Sequence, residues 1–249
     1  MRPVVLEDAL TEPSERDGPA ADCVLCPPLR FRFNDMAGLP GGAAVLAADA
    51  DFFLMPDLAP LADGHLLLVT EAHHPSAGTF GGRMWARACV WRGRIARIYR
   101  EAYGTGELVM FEHGPASPQG GGACIDHAHW HFLPGSPGVR AVVERSGPHG
   151  VPADHDSVRD RVREGRSYLL LEEGETVTLH PGEGVPSQFL RWAAATALLD
   201  GSVAHKDGSV RAWRWQETFG LPESKRSFQR TLDALRSALR EDQRTDSHQ

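Results

Sequence analysis

His127-Ala128-His129-Trp130-His131-Phe132 sets an imidazole at every second position, just after Gly120-Gly121-Gly122. In an extended strand, alternate side chains point to one face. The spacing therefore predicts a β-strand with His127, His129 and His131 on one side and Ala128, Trp130 and Phe132 on the other. A helix would scatter the three rings around its circumference. Three titratable rings on one face repel one another once protonated, so a polar strand edge without a function is the poorer account of the row.

Three chemistries can use such a row. A cupin-type metal site needs a glutamate four or five residues on, and positions 133 and 134 are Leu and Pro. A binuclear hydrolase site needs an aspartate beside a histidine inside the motif, and Trp130 and Phe132 flank His131. Phosphoryl or nucleotidyl transfer needs a neutral imidazole to attack phosphorus and backbone amides to hold the phosphate oxygens. The glycine run suits the last, because glycine lets N–H groups approach an anion closely.

The charge balance narrows the partners. With 26 basic and 33 acidic residues the chain carries a net charge of −7, which is not the footprint of a protein that coats a nucleic acid polymer. No apolar run reaches the length of a membrane span, and no basic start leads into an apolar core. Four cysteines do not make a disulfide scaffold in a chain of this size, so a reducing cytoplasm is expected. Cys23-Val24-Leu25-Cys26 has metal-knuckle or redox spacing. Pro27-Pro28 follows at once and prevents the helix that a redox pair would open, which favours zinc.

His127 to Leu133 resembles the His-φ-His-φ-His-φ-φ signature of the histidine triad (HIT) superfamily, where φ is hydrophobic. Asp57-Leu58-Ala59-Pro60, followed by His65 and the apolar Leu66 to Thr70, is similar to a second segment of that family. The resemblance implies an α+β fold: an antiparallel sheet of about five strands with a packing helix, here with a C-terminal α/β extension. It implies that His129 is a nucleophile toward the α-phosphorus of a nucleotide or dinucleotide polyphosphate. Its tautomer would be fixed by the His127 carbonyl, and His131 would hydrogen-bond a phosphoryl or leaving-group oxygen. Asp57 would bind ribose hydroxyls, against the alternative of a turn-capping carboxylate. Gly121, Gly122, Ala123 and Cys124 stand at the phosphate loop, although Ala123-Cys124 replaces the family's usual Gln-Ser; His113 would reach the phosphates, against the alternative of an ordinary loop histidine. Zinc-bearing relatives suggest a closed structural site of Cys23, Cys26, His73 and His127, with His74 a rival to His73. No catalytic cofactor is implied. His131 resembles the hydrolase branches, where transferase branches often carry Gln, so a hydrolase is expected; a nucleotidyltransferase or phosphorylase and a non-catalytic nucleotide-binding zinc protein are the alternatives, and a homodimer through a shared sheet is open.

Along the chain, residues 1–20 read as a loose arm, 21–144 as the HIT-like unit, 145–241 as the extension and 242–249 as a loose tail. Strands are expected within Ala43–Leu54 and over Leu66–Thr70 and Leu108–Phe111. A packing helix is expected over Arg83–Tyr103, with Cys89 as a core thiol. A short strand is expected over Val139–Glu144 and a polar linker over 145–166. A hairpin then spans Ser167–Glu172 and Thr176–Leu179, a helix starts at Gln188, and a last helix covers Ser224–Arg240. The Gln188-Phe189-Leu190-Arg191 helix and the Trp213-Arg214-Trp215 segment resemble extensions of some bacterial HIT-like proteins.

Overall fold

The computed structural model describes residues 23–32, 35–36, 38, 44–115, 125–200 and 213–246. The N-terminal arm, the loop holding Gly121, Gly122, Ala123 and Cys124, and the last three residues lie outside the described residues. Eight strands form one antiparallel sheet: β1 Ala47–Ala48, β2 Phe52–Pro56, β3 Leu66–Thr70, β4 Leu108–Gly114, β5 His129–Pro134, β6 Val151–Pro152, β7 Tyr168–Glu173 and β8 Thr176–Pro181. Their order is β1-β2-β3-β5-β4-β7-β8-β6. The first five are the sheet implied by the histidine triad resemblance. The other three continue it through a six-residue pairing of β7 with β4, so the extension placed after residue 144 is not a detached unit.

β2 and β3 are buried along their whole length, as unbroken apolar strands covered on both faces must be. One face carries α1, Gly82–Tyr103. Met84, Ala88, Trp91, Ile95 and Ile98 recur at helical spacing and pack on Leu66, Leu68, Trp130 and Phe132. Each of the larger aliphatic side chains contributes roughly 1.5–3 kcal/mol by leaving water. Gly104 ends the helix at φ +72°, its N–H donating to the Arg100 carbonyl at 3.0 Å. Cys89 lies on the outer side of α1 and is exposed, not a core thiol.

The opposite face holds two apolar clusters. Val109, Phe111 and Leu133 pack with α2 (Val139–Ser146) and α4 (Phe189–Asp200). Phe53, Met55, Leu67 and Val69 pack with Leu25 and with Phe228 and Leu232 of α6 (Pro222–Asp246). The histidines of β5 sit between them, His129 opposite Val69 and His131 opposite both Leu67 and Phe111.

Three local expectations are corrected. Val139–Glu144 is not a strand but the start of α2, because Val139, Val142 and Val143 share one buried helical side. The expected linker 145–166 contains β6 and α3 (His155–Arg163), which opens on a capping box between Asp154 and Ser157. The tail expected to be loose from Asp242 continues α6 as far as Asp246. A further short helix, α5, covers Trp215–Thr218. Among the described residues no helix is long and apolar enough to cross a membrane.

Candidate active site and metal centre

β5 begins at His129, so His127 stands just before the strand and turns its ring elsewhere. His127 Nε2 lies 2.8 Å from the Thr70 carbonyl. A carbonyl only accepts, so Nε2 carries the proton and Nδ1 presents a lone pair. That lone pair is 3.4 Å from the sulfurs of both Cys23 and Cys26, and Cys26 Sγ is 3.3 Å from His73 Nδ1. All four donor atoms lie within 4.8 Å of one another. Two thiols and two imidazole nitrogens at this spacing suit a tetrahedral soft-metal site. The outer proton of His127 rests on a carbonyl, as it does when imidazole ligates a metal. His74 is directed away, with Nδ1 3.4 Å from Thr79 Oγ1 and its ring edge-on to Phe80.

The next histidine along the chain is prepared for different chemistry. His129 Nδ1 donates to the His127 carbonyl at 2.6 Å. Burial pushes its pKa below the ordinary imidazole value, so the ring is neutral at pH 7 and Nε2 holds a free lone pair. Seating His127 in the metal cluster therefore also places the carbonyl that orients His129.

His131 stacks on Phe111, with ring centroids 4.7 Å apart and planes 9° from parallel. Burial lowers its pKa to about 4. Its Nδ1 faces His65 Nε2 at 3.0 Å. His65 is fully enclosed, burial holding it well below the usual histidine range, and its Nδ1 accepts from the Leu61 N–H at 3.1 Å. The chain of protons is thereby determined. Leu61 occupies the His65 Nδ1 lone pair, so the His65 proton is on Nε2 and donates to His131 Nδ1. The proton of neutral His131 is then on Nε2.

Asp57 closes a turn and pairs with an arginine. Its Oδ1 accepts from the Ala59 N–H at 2.7 Å, closing the turn, and its Oδ2 accepts from Arg191 Nη1 at 2.6 Å. The side chain is buried, which raises the carboxyl pKa, but the Arg191 charge outweighs burial and holds it well below the usual range. The bond to the Ala59 N–H is the one that the turn-capping alternative expects.

His113 is half-buried on β4, with both ring nitrogens enclosed and neither hydrogen-bonded among the described residues, and burial alone lowers its pKa to about 4. It lies two residues beyond Phe111 on an extended strand, hence on the face that carries His131. Glu112 faces the other way. It accepts from Ala77 N–H, Tyr168 Oη–H and Trp130 Nε1–H at 2.9, 2.7 and 3.3 Å, and burial raises it to about 7. Those bonds tie three strands and a loop behind the site.

The prediction from sequence missed His65 and Arg191. His65 stood in the quoted Asp-x-x-Pro segment and was used there only as a landmark. Arg191 lies 134 residues from the carboxylate it pairs with, and no local pattern reveals such a contact.

No protein-family model and no curated protein matches this chain. Among solved structures it is similar to a HIT-like protein from Bartonella henselae described as involved in cell-cycle regulation (18% identity, 49% of this chain and 82% of that one, TM-score 0.32). It is similar to a Zn-bound histidine triad family protein from Mycobacterium smegmatis (21% identity, 53% and 90%, TM-score 0.33). It is also similar to yeast Ap4A phosphorylase in complex with AMP (12% identity, 61% and 64%, TM-score 0.35). The fold of this chain is α+β, an antiparallel sheet that the C-terminal extension continues.

Proposed function

We propose that the chain is a HIT-type enzyme that cleaves a nucleotide or dinucleotide polyphosphate at the α-phosphate through a nucleotidyl-histidine intermediate. The observation that carries this reading is the 2.6 Å bond from His129 Nδ1 to the His127 carbonyl. It leaves a neutral Nε2 lone pair in a buried ring, which is the requirement for an imidazole nucleophile. In the first step Nε2 forms a bond to phosphorus and the bond from phosphorus to the leaving oxygen breaks; that oxygen departs as the phosphate anion, with the His131 Nε2–H hydrogen-bonded to it. In the second step water attacks phosphorus, the phosphorus–nitrogen bond breaks to restore neutral His129, and the water proton is released to solvent. Phosphate in place of water would make the enzyme a phosphorylase. His113 is assigned to the phosphate or leaving group, because its nitrogens lack partners on the same face.

Cys23, Cys26, His73 and His127 would hold zinc as a structural ion. Zinc there would fix the His127 main chain and so the acceptor for His129; the reaction steps do not pass through it.

Intact-mass measurement on the full chain mixed with a dinucleoside polyphosphate tests the proposal. A nucleotidyl adduct is expected on the wild-type protein. His129→Ala should lose the adduct and about 10⁴-fold or more of turnover while remaining folded. Turnover retained in that variant rejects the assignment. Product analysis with and without phosphate decides between hydrolysis and phosphorolysis.

A further inference from the structure

Arg191 carries the extension to Asp57. Arg191 donates to Asp57 Oδ2 from Nη1, to the Ala59 carbonyl from Nη2 at 2.6 Å, and to the Trp213 carbonyl from Nε at 3.1 Å. Gln188, one turn earlier, accepts from the Trp215 N–H at 2.9 Å. The two sequence motifs of the extension therefore brace each other, and the guanidinium they hold is almost completely buried.

Its partner, Asp57 Oδ2, is 3.5 Å from His131 Nδ1 and 3.6 Å from His65 Nε2. That oxygen competes for protons. Left unpaired, a buried carboxylate at this distance would draw a proton onto His131 Nδ1 or pull the His65 N–H away from it. Paired with Arg191, its charge is met from the other side. The shorter 3.0 Å bond between the two rings is then the stronger one.

We propose that Arg191 is a positioning residue for His131: by occupying Asp57 Oδ2 it leaves His65 to donate to His131 Nδ1, so that His131 carries its own proton on Nε2. A His131 with its proton on Nδ1 would meet a leaving oxygen with a lone pair and repel it. The consequence for turnover rests on the nucleotidyl-transfer reading, whereas the tautomer does not.

Nitrogen-15 spectra of the full chain labelled at histidine read the tautomer directly. In the wild type, His131 Nδ1 is expected to be unprotonated and Nε2 protonated; the reverse overturns the proposal. Arg191→Met should shift the His131 proton to Nδ1 and lower kcat about 100-fold with KM little changed. Adding Asp57→Asn removes the competing oxygen, and both readouts should return to within about threefold of wild type. The double variant leaves no unpaired buried charge, so it can be measured even where the single variant does not fold. A double variant that keeps the wild-type tautomer yet still turns over about 100-fold slower overturns the proposal. So does an Arg191→Met protein that melts earlier without any change of tautomer. If the wild-type chain turns over no nucleotide substrate, the nucleotidyl reading fails, and the spectra still decide the positioning role.

Discussion

Two clusters of side chains on the same face of the sheet look alike by composition and distance and behave as opposites. Cys23, Cys26, His73 and His127 form one; Asp57, His65 and His131 form the other, and in each the donor atoms approach within 4.8 Å. What separates them is the partner on the far nitrogen of the ring. His127 turns that nitrogen to the Thr70 carbonyl and keeps a lone pair for the cluster. His65 turns it to the Leu61 N–H and must keep its proton inside the cluster. A nitrogen that carries a proton is not a ligand, so the second group is a hydrogen-bonded chain despite its two-histidine, one-carboxylate make-up. A backbone group outside each cluster thus decides whether the ring turns a lone pair or a proton toward the cluster.

Metal analysis attacks this contrast most directly and carries the largest expected effect. The chain should bind one zinc ion. Cys26→Ser should lose it and lower the melting temperature by about 10 °C or more, whereas His65→Gln should keep it. A second ion that disappears in His65→Gln would erase the distinction.

Acid gives a smaller effect of defined sign. Folded His131 titrates near 4, against 6.5 for the ordinary group. A depressed group of this kind contributes its full stability above pH 6.5 and loses it as the pH falls toward 4, by roughly 3 kcal/mol. His131→Gln should flatten the fall in melting temperature over that window; an unchanged slope would show that His131 is not held neutral.

The smallest effect compares thiols. Cys89→Ser changes an exposed side chain and should move stability by no more than about 0.5 kcal/mol with metal content intact. A loss of zinc in Cys89→Ser would mean that the ligand set has been drawn wrongly.

What could be read in advance follows the range of the interactions. The triad strand, its neighbours β3 and β4, and α1 were legible because apolar periods of two and of three to four act over a few residues. The hairpin of β7 and β8 was legible for the same reason. α2 was not, since Val139, Val142 and Val143 favour a strand when read alone, and only the cover that α4 provides rewards the helical spacing. Asp57 was visible as a residue of interest, but its role was set by Arg191, which folds in from the far end of the chain. The tautomers of His65 and His131 depend on a single Leu61 N–H, which no side-chain pattern encodes.

The sheet also ends in an unusual way. Its two outer strands, β1 and β6, are two residues each, and the long flank of β4 is already taken by β7. Exposed strand borders are where one polypeptide can zip onto another through main-chain bonds. Here those borders are stubs, so the described residues give a second copy almost no backbone to pair with. The tract that caps the broad side of β4 is the same one that delivers Arg191 to Asp57, which ties closing off the sheet and tuning the chemistry to a single stretch of chain.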